Sequence, residues 1–141
     1  MIPIWMPIAF DELKRFVTEI RGVDYDVSVV KYLESVMDLD VKSDEVPWCA
    51  AFVNWVLKEA GVRGTGRANA RSFSTWGDQS HLAMGAVVVL WRGEASGIYG
   101  HVGFHIAHDL DTVWLLGGNQ QDSLNISQYP RNRIIATRLP K

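Results

Sequence analysis

Hydrophobic positions recur every three to four residues along the first sixty residues and then change character, alternating or running together between turn residues from about 85 onward. Ala9, Leu13, Phe16, Val17 and Ile20 share one helical face, and Gly22 follows as a stop. Val29, Val30, Leu33, Val36 and Met37 form a second such face, with Asp26 or Ser28 as N-cap. After the polar connector "DLDVKSDEV" comes a third helix, predicted from about Pro47 to Ala60. Proline suits a first helical position, Asp44 and Glu45 complement the positive helix end, and Gly61 is a C-terminal stop. From Trp48 to Leu57 this segment is apolar on every side except Asn54, the pattern of a central buried helix. "ANARSFSTWG" (68–77) adds a short helix or turn.

The second half reads as strands: 85–92, 101–108, 112–118, 124–127 and 133–139, β-rich runs separated by turn residues. The short links predict an antiparallel meander. Helices followed by a sheet predict an α+β fold in a single domain over 1–141, helical in 7–60, connecting in 61–84 and β in 85–139.

Counting across the hairpin at "DLD" (109–111) places particular residues together. If 108 faces 112, then His101 faces Asn119, about 5 Å away at the backbone. On the same face Gly103 meets Gly117, clearing a surface that the buried helix is expected to fill. Phe104 and Ile106 then meet Leu116 and Trp114 on the opposite face as an apolar layer.

Composition narrows the class. Apolar residues make up 48% and charged residues 21%, as in ordinary globular domains. Fourteen basic against sixteen acidic residues leave a charge of -2 with no Lys/Arg run, which argues against nucleic acid as a partner. The opening "MIPIWMPIAFDELKR" lacks basic residues before its apolar part, carries prolines and meets Asp11 and Glu12, unlike a secretory signal or a membrane span. Synthesis in the cytoplasm and no membrane insertion are expected. A single cysteine excludes a disulfide framework and a Cys-rich zinc site.

That cysteine, Cys49, is either a small buried hydrophobe or a nucleophile at the start of a helix. Its company favours the second. A helix N-terminus and a neighbouring imidazolium lower a thiol's pKa. His101 would take the thiol proton and later protonate a leaving amine, Asn119 would orient the imidazole, and the Cys49 N–H would donate to the oxyanion. The chain order Cys, His, Asn is that of papain.

The blocks "PWCAAFVNWVLKEAG", "GTGRANARSFSTWG", "GAVVVLWRG", "GHVGFHI" and "LGGNQ…NISQYP", in this order, resemble NlpC/P60- and CHAP-like cysteine peptidases of phages and prophages. The resemblance covers about residue 44 to the end. It implies a papain-like core acting on the peptide part of bacterial peptidoglycan, with Cys49 as nucleophile, His101 as base and Asn119 in the third role. Many NlpC/P60 members place a His or Gln there, so Gln120 is the nearest substitute and support. No cell-wall-binding module fits beside this core in 141 residues, so a bare catalytic domain is expected. It would act on the wall after holin- or secretion-mediated release, as an endolysin or as an antibacterial effector with an immunity partner. A catalytically inactive wall-binding protein is the reading from another class.

Trp48 is a candidate cleft wall, and Arg71 a candidate partner for a stem-peptide carboxylate. His101 and His105 imitate metal ligands four apart. On a strand they lie about 13 Å apart, so neither a metal nor any other cofactor is expected, and His105 and His108 read as ordinary sheet residues.

Overall fold

The computed structural model describes residues 2–15, 27–36 and 48–141. The expectations placed on Phe16, Val17, Ile20, Gly22, Asp26, Met37, the 38–46 connector and Pro47 lie outside the described residues. Among the described residues three helices, α1 (Met6–Leu13), α2 (Val27–Leu33) and α3 (Cys49–Glu59), precede a 3-10 turn (Ala70–Thr75) and six strands. The strands are β1 (Asp78–Gln79), β2 (Val87–Trp91), β3 (Gly100–His108), β4 (Thr112–Gln120), β5 (Ser123–Pro130) and β6 (Ile134–Leu139). All pairs are antiparallel, in the order β1-β6-β2-β3-β4-β5. The α+β expectation holds. The meander runs from β2 to β5, while β6 returns to pair with the free edge of β2. None of the described helices is long and apolar enough to cross a membrane.

The third helix starts at Cys49 and ends where its sequence says, with Gly61 at φ 76 beyond the Ala60 cap. Ala50, Ala51, Phe52, Val53, Val56 and Leu57 are all fully buried, and Phe52 meets Phe104 edge-on at 6.1 Å. In α2 and just beyond it, Val29, Leu33 and Val36 are buried as predicted, whereas Val30 is exposed and Tyr32 takes a core position. Tyr32 stacks on Trp48 at 6.0 Å and donates its hydroxyl to the buried Glu12 carboxylate at 2.6 Å. Lys31 and Arg15 pair with the same carboxylate at 2.7 and 3.1 Å, so the charge that α1 buries is compensated.

The sheet uses the face opposite to the one expected to receive α3. Val87, Val89, Val102, Phe104 and Leu116 form one core with α3. Gly118, and neither Gly103 nor Gly117, makes room for the helix: a Cβ there would lie 2.6 Å from the Trp48 ring and 3.2 Å from Phe52. Val88, Leu90, Val113 and Leu115 form a second, smaller cluster on the other face, against Tyr129 and Ile134. Glycine pairs alone do not say which of two faces a helix covers. The larger apolar side chains of the alternating pattern do.

Candidate active site

Cys49 is the first residue of α3, 3% exposed, at the end of the sheet where β3 begins. The sulfur is approached by the main-chain N–H groups of Val102, Ala50 and Cys49 itself. Burial pushes the thiol pKa up, while the Val102 amide, the Arg92 charge and the two helix-start amides pull it down. Burial prevails, so the resting side chain is a neutral thiol and not the thiolate expected from the helix end alone.

His101 lies one residue before the Val102 amide and is 2% exposed. Its Nε2 sits 2.8 Å from the Gln120 amide oxygen. The Gln120 Nε2 donates to the carbonyls of Leu115 (3.2 Å) and Asn125 (2.8 Å) and to Asn125 Oδ1 (2.8 Å). Three acceptors around that nitrogen fix the amide, leaving its oxygen toward His101. His101 Nε2 therefore carries the proton, and Nδ1 keeps a lone pair. Nδ1 is buried and has no hydrogen-bond partner, so it is not yet bonded to the thiol. Burial lowers the His101 pKa to about 4, opposed by the Gln120 hydrogen bond and reinforced by the charges of Arg92 and Arg133. The imidazole is neutral at physiological pH and available as a base.

The residue beside His101 is thus Gln120 and not Asn119. The cause is a bulge. The β4–β5 register shifts between Gly117 and Gln120, and Asn119 stands at φ 58, a left-handed conformation that asparagine tolerates. The inserted residue turns Gln120 onto the face of His101. Gly117 completes the fit, since a Cβ there would come within 2.7 Å of Gln120 Oε1. Gln121 and Asp122, both at positive φ, then close the hairpin into β5.

Three participants were invisible as motifs. Asn125 holds the Gln120 amide from β5 and donates in turn to the Gln120 carbonyl at 2.8 Å and to the Ser123 hydroxyl at 2.7 Å. Tyr129 tilts its ring over the imidazole at 5.2 Å, with its hydroxyl 3.3 Å from Nε2. Burial, then the charge that Cys49 carries once ionised, pushes the Tyr129 pKa up to about 12. Arg133 covers the Tyr129 ring at 5.7 Å and the Trp91 ring at 5.4 Å while donating to the Trp91 carbonyl. Their strand alternation was legible; their convergence required the register of β5.

The remaining candidates have other tasks. Trp48 is fully buried against Tyr32 and so lines no open cleft. The Arg71 guanidinium donates to the carbonyls of Tyr99 (2.8 Å), Ala95 (3.1 Å) and Glu94 (2.9 Å), clamping the loop that leads into β3. Asn54 supports the same arrangement from α3, donating to the carbonyls of Ala50 and Arg67 and accepting from the Gly66 N–H at 2.8 Å. An open groove of about 560 Å³ lies alongside, lined by Arg67, Asn69, Arg71 itself, Ser72, Ile98 and Tyr99, and Ile98 and Tyr99 are strongly exposed. At the far end of β3, His105 Nε2 and His108 Nδ1 approach to 2.8 Å, because a register shift between His105 and Ala107 turns both rings together. Among the described residues no three His, Cys, Asp or Glu side chains converge as a metal site.

The arrangement is similar to known proteins at two levels. The family model of the CHAP domain matches residues 41–119, which include Cys49 and His101. Among solved structures, an NlpC/P60 family protein from Bacillus cereus ATCC 10987 is 17% identical with a TM-score of 0.47, over 64% of this chain and 30% of that one. A protein from Staphylococcus aureus subsp. aureus Mu50, described as similar to lipoprotein and of the NLP/P60 family, is 15% identical with a TM-score of 0.43, over 91% and 47%. The chain thus spans less than half the length of either. No curated protein sequence matches it. With more than half of its 141 residues under one family model, the chain belongs to the CHAP domain family.

Proposed function

We propose that the chain hydrolyses an amide bond in the stem peptide of peptidoglycan through a thioester on Cys49. The observation that carries this reading is the fixed tautomer of His101, which leaves a buried, unpaired Nδ1 next to the strand amide that faces the Cys49 sulfur. In the proposed step Sγ attacks the carbonyl carbon and its proton passes to Nδ1. The Sγ–Nδ1 hydrogen bond closes with substrate bound, as catalytic hydrogen bonds commonly do. The developing oxyanion accepts from the Cys49 N–H in the first helical turn. Imidazolium then protonates the amine as the C–N bond breaks, and a water activated by His101 hydrolyses the thioester. Gln120 holds the ring throughout and stabilises the imidazolium.

The scissile bond is either the one between muramic acid and L-alanine or one within the peptide. The biological setting we infer is lysis by a phage or prophage endolysin that reaches the wall after release from the cytoplasm. The oriented imidazole, held by Gln120 with its Nδ1 unpaired, favours an active enzyme over an inert wall-binding protein. Mass spectrometry of fragments released from purified peptidoglycan tests the reading. Fragments from the intact protein and none from Cys49→Ala are expected, and their masses name the bond. Equal release by both, or none by either, would refute it.

A further inference from the structure

β2 ends at Trp91, and the next residue, Arg92, has no side-chain hydrogen bond or ion pair to another of the described residues. Leu90 pairs with His101 and Trp91 with Gly100, and the Arg92 N–H continues this ladder to the Tyr99 carbonyl at 3.2 Å. Side chains alternate along the strand, so Arg92 leaves the sheet on the side of Leu90 and His101. The other two arginines at this end are committed: Arg71 to the loop carbonyls, Arg133 to the Trp91 carbonyl and the Trp91 and Tyr129 rings. Arg92 is exposed, and the ion pairs among the described residues all lie on α1 and α2. On this ladder Arg92 follows the partner of His101 by two residues, on the same face, and its charge lowers the pKa values of Cys49, His101 and Tyr129.

We propose that Arg92 binds a substrate carboxylate flanking the scissile amide, so that the enzyme discriminates between stem peptides with a free carboxylate at that position and those in which it is amidated. The inference rests on the peptidoglycan reading above. A guanidinium matches a carboxylate with two parallel N–H donors, a match that an amide of nearly the same size cannot repeat. Stem peptides offer this choice, because the α-carboxylates of their γ-linked glutamate and of their diamino acid occur free or amidated.

The test uses the full chain and synthetic muramyl tetrapeptides that differ only in amidation at one of these two positions. For one pair, kcat/KM is expected to be at least about tenfold higher for the free carboxylate, mostly through KM. Arg92→Gln should abolish the preference, bringing kcat/KM for the free-carboxylate member down to that for the amidated one. Arg92→Lys should retain part of it, having charge without the fork. Cleavage without discrimination in either pair, or a preference that survives in Arg92→Gln, would overturn the inference while leaving the hydrolase reading intact. An equal fall for both members in Arg92→Gln would also overturn it. Cleavage of none of the peptides by the parent protein would overturn both.

Discussion

The two faces of the sheet are ordered by different physics. On the face toward α3, Val87, Val89, Val102, Phe104 and Leu116 interlock with Phe52, Val53 and Trp48, and shape and burial alone suffice. On the other face, His101, Gln120, Asn125 and Tyr129 are held by directed hydrogen bonds whose donors and acceptors have one consistent assignment. The first face tolerates apolar exchange of similar volume. The second tolerates almost none, because each partner fixes the orientation of the next.

Substitutions that strike one face and spare the other sharpen this contrast. Gln120→Ala releases the imidazole and should lower kcat by roughly 10²- to 10⁴-fold, the scale of losing a residue that sets the tautomer of a catalytic histidine. Asn119→Gly keeps the left-handed bulge and should stay within a few-fold of the parent. Steady-state kinetics on a soluble muropeptide decides between them, and an equal loss in the two variants would contradict the pairing seen here. Phe52→Ala strikes the apolar face. It should cost about 3–5 kcal/mol of stability, read as a fall in Tm of roughly 10 °C by circular dichroism. A change below about 1 kcal/mol would mean that this face is not close-packed.

Burial of the neutral imidazole adds a pH dependence. The unfolded chain binds a proton on this histidine near the ordinary value of 6.5, and the folded chain binds it only near 4. Stability from this group is therefore complete above pH 6.5 and declines as pH falls toward 4, by up to about 3 kcal/mol. Urea unfolding of the parent and of His101→Gln across this range should show the variant losing less. Parallel curves would contradict it. The smallest effect is expected for Tyr129→Phe, which removes a 3.3 Å contact and keeps the ring. A drop in kcat beyond about tenfold would give the hydroxyl a role in the chemistry that this geometry does not support.

The same contrast explains what was legible in the sequence. Periodicity revealed α3 and the five long strands, and the lone cysteine at a helix start followed by His101 gave the two residues on which the proposed chemistry rests. The side of the sheet facing α3 was misread, because Gly103 and Gly117 resemble a cleared surface when they in fact admit the Gln120–His101 pair and a close backbone. The third member was displaced by one residue, since strict alternation has no way to anticipate that Asn119 adopts φ 58 and shifts the register. Arg71 read as a substrate ligand for a related reason. A sequence does not show that three main-chain carbonyls will converge on one guanidinium.

The central claim, that a neutral His101 accepts the Cys49 proton, is tested most directly by the pH profile of kcat/KM on a soluble muropeptide, which reports the ionisation of the free enzyme. The acid limb should fall near pH 4 in the parent protein, where His101 protonates. It should move lower in Gln120→Ala, which loses the hydrogen bond that favours the imidazolium, and higher in Arg92→Gln, which loses a nearby positive charge. An acid limb at or above 6.5 in the parent would contradict the account, because the buried imidazole would then take up its proton at the ordinary value and not near 4.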